Sequence, residues 1–222
     1  MNDFEEQTQT NEFKNTKNNC VDKLKDQVSS LLFELITDIP ESLHEMKGDP
    51  EKKVKALIDK ASRKAALYSA TLSIPAGFTG ILASIPDIAA VWRIQAQLVS
   101  DIAATYGKFA LLSREAMVWC LFRHSAAQLL RDIAVRTSSR IVIQKVSTTA
   151  LQKILQKIGL QISTKLVGKI ALRLIPAIGV VGNGAYTYYD TREVGKTADA
   201  YFKNLQTKDA NEHPPKVKED KE

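Results

Sequence analysis

From Ala65 to Ile85 the chain carries no charged side chain, and the first to follow is Asp87, directly after Pro86. Two prolines, Pro75 and Pro86, and two glycines, Gly77 and Gly80, interrupt this apolar run. Proline fixes φ and lacks an N–H, so each proline ends or restarts a helix. The run reads as a helix, an apolar hairpin turning at Pro75 and Gly77, and a new helix from Pro86. So long an uncharged stretch has to be buried in a core or lie against lipid. A second stretch, LIPAIGVVGNGAYTYYD from Leu174 to Asp190, repeats the order Ile-Pro-Ala, glycines, aspartate, with Pro176 and Gly179 at its turn. Two helix-break-helix units with small residues at their close contacts account for the echo.

Around these runs the apolar residues recur at intervals of three and four, the spacing of a helix face. Val21 to Ile39 is one such amphipathic helix, ended by Pro40. Gly48 and Asp49-Pro50 signal a turn and a helix start, and the next helix runs towards Ser73, lysine-rich first and apolar later. Pro86-Asp87 opens a third helix to Tyr106, with Asp87 as its cap or facing the positive end of its dipole, and Gly107 in the C′ position. Ser113, with Glu115 close behind, caps a fourth that runs to about Arg136. Helices from Ser138 to Ile158 and from Gln161 to Ile175 follow, separated at Gly159, and Pro176 closes the second. A last helix spans about Asn183 to Leu205. Aromatic residues make up only 7% of the chain, which favours helix over strand. The polar ends, 1–19 and 207–222, read as disordered. The expected fold is thus all-α: one compact multi-helix domain over 20–206 with two proline- and glycine-broken apolar hairpins.

The net charge of +6 is modest, but it is unevenly spread. No acidic residue occurs from Ile133 to Tyr189. Within that segment Lys165, Lys169 and Arg173 are spaced four apart and share a narrow face of an otherwise apolar helix. A narrow basic stripe beside a wide apolar surface is either a core helix with its basic edge in water or a face that contacts an anionic membrane or another anionic partner. Nucleic acid is a poor fit, because the basic segment lacks interleaved aromatics and no DNA-binding motif is present. The acidic, polar N-terminus has neither the basic start nor the apolar core of a secretory signal. The expected location is therefore cytoplasmic, peripheral on the inner membrane face. Cys20 and Cys120 have no disulfide or metal spacing and read as free thiols, and no metal or cofactor is expected.

The candidate polar site is Asp87, Arg93, Asp101, Tyr106 and Asp190. Arg93, Gln97 and Asp101 form a polar stripe on one mostly apolar helix, which is a solvated face, an interhelical bridge or a functional track. Paired carboxylates beside an arginine would suit a hydrolase pocket. Cys120 and His124, one helical turn apart, have the spacing of a nucleophile and its base, but no third group orients them.

The apolar turn IPAGFTG, the following Ile85-Pro86-Asp87 and the helix to Ala103-Ala104-Thr105-Tyr106-Gly107 together resemble the EcsC protein family. So does IPAIGVVGNGAYTYYDTREVGKTADAYF near the C-terminus, with the likeness covering roughly Leu57 to Phe202. The resemblance implies a bacterial helical protein of a family named after a gene neighbour of an ABC exporter. It supplies no catalytic residue; Asp87, Tyr106, Gly107 and Gly179 match motif positions without an assigned role. The expected function is a non-enzymatic, membrane-surface accessory to a transport or secretion system. Its partner would be an anionic membrane surface or a membrane protein complex. The alternatives are a lipid or apolar-ligand binding protein and a hydrolase with a carboxylate-based pocket.

Overall fold

A computed structural model describes residues 2–46, 48–71, 85–137, 140–168 and 176–212. Among them six α-helices and one short hairpin build a helical bundle. In chain order they are α1 (Asn2–Thr37), α2 (Pro50–Thr71), α3 (Ile85–Thr105), α4 (Arg114–Ala126), β1 (Ala134–Thr137), β2 (Arg140–Ile143), α5 (Thr148–Gly168) and α6 (Pro176–Glu212). Short 3-10 turns at Phe109–Leu111 and Ala127–Leu130 flank α4.

Local chemistry sets several of these boundaries. Asp49 accepts from the N–H groups of Glu51 and Lys52 at 3.0 and 3.3 Å and so caps α2 ahead of Pro50. Ser113 accepts from the N–H of Ala116 at 3.2 Å and caps α4. Gly107, with φ +66°, closes α3. Its N–H bonds to Ala104 O and that of Lys108 to Ala103 O, the paired pattern that satisfies a helix's last carbonyls. Asp87 lies within the first turn of α3, which begins at Ile85, rather than at the cap position. There it faces the positive end of the helix dipole.

The core is the shared interior of these helices. Leu32, Ile36, Val54, Ile102, Met117 and Phe202 are all buried in one cluster. The long helices pair closely at glycines. A Cβ at Gly159 would lie 2.4 Å from Ser29 Oγ and 3.1 Å from the Lys25 carbonyl, so α5 crosses α1 there. One at Gly195 would meet Ile58 at 2.6 Å, and one at Gly184 would meet the Ala66 carbonyl and Ala70, which brings α6 against α2. The pairings of Gly184 with Ala66 and of Lys203 with Glu51 make α2 and α6 antiparallel. Gln95 bonds to Asp190 and Tyr106 to Asp199, so α3 runs parallel to α6.

These close approaches correct the expected breaks. Gly159 does not separate two helices: α5 runs through it, and the glycine is needed because α1 leaves no room for a side chain. Pro176 opens α6 rather than closing its predecessor, as suits a residue with no N–H to donate. The glycines after it, Gly179 included, lie within helix, so from Pro176 on the second apolar stretch is the first part of α6. The fourth helix stops at Ala126, short of Arg136, and its continuation is the β1–β2 hairpin. Val135, Ile141, Val142 and Ile143 are β-branched and favour extended backbone. The register Ala134↔Ile143 to Thr137↔Arg140 leaves a two-residue connection. At the ends, α1 begins at Asn2, ahead of the expected start at Val21, and α6 runs to Glu212. The first apolar turn, with Pro75 and Gly77, lies in 72–84 and outside the described residues.

Candidate functional site

The five candidate polar residues fall at separate places. Asp101, on α3, accepts from Ser42 Oγ at 2.7 Å and from Gln97 Nε2 at 2.9 Å. Gln97 also donates to the Glu41 carbonyl at 2.9 Å, and His44 Nε2 lies 3.9 Å from the same aspartate. Arg93 reaches Glu34 of α1 at 3.5 Å. The Arg93–Gln97–Asp101 stripe thus ties α3 to α1 and to the connector between α1 and α2, which is the bridging reading of that pattern. Tyr106 is buried, and its hydroxyl donates to Asp199 of α6 at 2.6 Å. Burial first, and then the Asp199 carboxylate, hold the phenol well above its ordinary 10.0.

Asp190 anchors a third node. His124 Nε2 lies 2.7 Å from one of its carboxylate oxygens, and Gln95 Nε2 donates to the other at 2.8 Å and to Thr191 Oγ1 at 3.1 Å. Four side chains from α3, α4 and α6 thereby meet at one node, with the Asp190 carboxylate at its centre. Gln95, Thr191 and Asp199 escape a reading of the sequence alone. Gln95 does leave a signal, for it falls in phase with Trp92, Val99 and Ile102 on the buried face of α3. A polar residue on such a face has to find a partner. His124 points to Asp190 and not to Cys120. That thiol is fully buried, and burial pushes it well above its ordinary 9.0, so it is not poised as a nucleophile.

Asp87, Asp101 and Asp190 are therefore not gathered in one pocket. A groove of about 260 Å³ lies between α1 and α3, walled by Leu31, Leu35 and Trp92, with Glu34 and Arg93 at its edge. Asp101 and Asp190 do not line it. Among the described residues no cluster of three side chains that could hold a metal ion occurs.

The other candidate is one end of the bundle. α2 and α5 finish there, and α3 and α6 begin there. Ile85 packs with Cys20, Leu24 and Val167, which joins the start of α3 to the end of α5. Ser69 near the end of α2 receives a 3.0 Å hydrogen bond from Thr187 of α6. Leu67, Tyr68, Tyr186 and Tyr189 are exposed on these two helices at that end, Leu67 by 69% and Tyr189 by 67%. Lys165 is exposed in the last turn of α5, while Lys169 and Arg173 lie outside the described residues. No helix among the described residues is long and apolar enough to cross a membrane.

The sequence profile of the EcsC protein family matches residues 4–204 of the 222. The chain belongs to the EcsC protein family. The match takes in every helix of the bundle and reaches well N-terminal of Leu57, where the visible likeness begins. No curated protein and no solved structure matches the chain. In this EcsC-family chain the motif positions Tyr106 and Gly107 end α3, Tyr106 ties it to α6, and Asp87 stands in the first turn of α3.

Proposed function

We propose that this EcsC-family chain is a non-enzymatic protein that attaches by one end to the inner face of a bacterial membrane and acts there as an accessory to a membrane transport or secretion system. The observation that carries the reading is that the described ends of both uncharged stretches lie at a single end of the bundle. The first is continuous with the end of α2 and the start of α3, and the second forms the start of α6. The exposed Leu67, Tyr68, Tyr186 and Tyr189 stand beside them, and aromatic and aliphatic side chains of this kind favour the interfacial layer of a bilayer. Support for a non-enzymatic role comes from Asp101, Tyr106 and Asp190, which are each engaged in ties between elements. The transport connection rests on family membership.

Cell fractionation tests the reading. The protein should pellet with membranes at low salt, and part of it should stay there after a high-salt wash, because apolar contact is not screened. A protein that remains wholly in the supernatant at low salt and ignores vesicles of anionic lipid would overturn it.

A further inference from the structure

Resting on that reading, we infer that the exposed face of α2 is the element that meets the membrane, with Lys60, Arg63 and Lys64 contacting anionic lipid headgroups and Leu67 and Tyr68 entering the layer beneath. All five side chains are exposed. Their spacing from Lys60 is three, four, seven and eight residues, so they lie on one side of the helix, one above another over about 12 Å. The order along the axis is what makes the face amphipathic in depth as well as in cross-section. Three cations come first, then a leucine and a tyrosine, and the uncharged run that starts at Ala65 continues past the helix end. Long basic side chains can stay at headgroup level while the apolar residues next to them sit deeper.

The surrounding charges favour an anionic occupant. No acidic residue occurs from Lys60 to Pro86. Among the described residues no ion pair involves Lys60, Arg63 or Lys64. The carboxylates that flank the run are engaged or set apart. Asp59 faces Arg192 of α6 at 3.5 Å, and Asp87 sits in the first turn of α3. At the same end of the bundle, Lys165 in the last turn of α5 is another exposed cation. The opposite end of α2 differs: Lys52 lies near Asp49, Lys53 reaches the Glu45 carbonyl, and Glu51 bonds Lys203. Lys52 and Lys53 thus have partners within the protein, whereas Lys60, Arg63 and Lys64 are left for a partner outside the bundle.

The test uses the full chain and co-sedimentation with vesicles of neutral phosphatidylcholine or of phosphatidylcholine mixed with phosphatidylglycerol. The triple variant Lys60→Gln, Arg63→Gln, Lys64→Gln removes three charges from the face. The matched variant Lys52→Gln, Lys53→Gln, Lys55→Gln removes three from the other end of the same helix. The first should weaken binding to the anionic vesicles about a hundredfold and leave weak binding to neutral ones unchanged. The second should change either by no more than severalfold. Unchanged thermal melting of both variants, expected for exposed positions, ties the loss to the surface. Equal losses in the two variants, or no loss in the first, would overturn the assignment of this face while the membrane reading stands. Wild-type protein that pellets with cell membranes but ignores both kinds of vesicle would overturn it too, and would place the contact on a membrane protein. Wild-type protein that does neither would overturn the membrane reading and this inference with it.

Discussion

At Gly107 the backbone takes φ +66°, and a Cβ there would lie 3.3 Å from Met46 Sδ. Any residue with a Cβ pays for the left-handed conformation, and here it would also push on the connector between α1 and α2. Gly107→Ala should lower stability by about 1–2 kcal/mol in denaturant melts. The adjacent Tyr106 acts through its hydroxyl. Tyr106→Phe removes a buried bond to a carboxylate and should cost about 1.5–3 kcal/mol. It should also alter the response to alkali. Burial raises the Tyr106 phenol and the Cys120 thiol and pushes Tyr201 up to about 12. The folded chain therefore holds these protons more tightly than the unfolded chain does. Below the ordinary values of 9.0 and 10.0 the groups are protonated in both states and add no slope. Above them the unfolded state loses its protons first, so stability falls as pH rises. Tyr106→Phe should shallow that fall in melts followed across the alkaline range; an unchanged slope would assign it to the other groups.

Between elements, the crossing of α2 and α6 is held close by a glycine that faces a single side chain. Gly195 faces Ile58, and three side-chain carbons of Ile58 lie 2.6, 3.1 and 3.2 Å from where a Cβ would be. Gly195→Ala improves intrinsic helix propensity by about 1 kcal/mol, but it overpacks the crossing. The net effect should be a loss of about 1–3 kcal/mol. Because the clash is with one side chain, Ile58→Ala should offset part of it, and the double variant should be more stable than the sum of the two single losses implies. Additive losses in a double-mutant cycle would show that α6 shifts as a whole instead. At Gly159 the same logic holds between α5 and α1, although there a backbone carbonyl, that of Lys25, also stands in the way.

For the whole molecule, the arrangement of helix ends governs how attachment should respond to salt. On the proposed attachment, basic side chains on α2 and α5 would act through screened charge, while Leu67, Tyr186 and Tyr189 would act through apolar contact. Replacing these three with Ser should leave low-salt pelleting with membranes largely intact and strip the fraction that survives a high-salt wash. All three are exposed, so the fold should survive with at most a small loss of stability. A salt-resistant fraction that is undiminished would move the apolar contact to the stretches 72–84 or 174–183 themselves.

What the residues announce on their own is whatever depends on near neighbours in the chain. The Pro50 and Pro86 starts, the Ser113 cap and the Gly107 stop are each decided within a few residues, since proline geometry, first-turn N–H groups and a positive φ are local matters. The helical spacing of apolar residues likewise marks an all-α chain. Glycine inside such a pattern is ambiguous, because its cost of about 1 kcal/mol in a helix is small beside what packing supplies. Whether Gly159, Gly184 and Gly195 break a helix or let two helices touch is settled by Ser29, Ala66 and Ile58, which are far away in sequence. The β1–β2 hairpin is hidden for a related reason: a short β-branched run next to a helix has no periodicity long enough to show its state. The nodes at Asp190 and Asp199 are decided by tertiary structure. Gln95 and Asp190 stand 95 residues apart and Tyr106 and Asp199 stand 93 apart, and only the parallel packing of α3 on α6 brings them within hydrogen-bond reach. Tertiary packing likewise brings the end of α2 and the start of α6, the described parts of two uncharged stretches each legible alone, together at one end of the bundle.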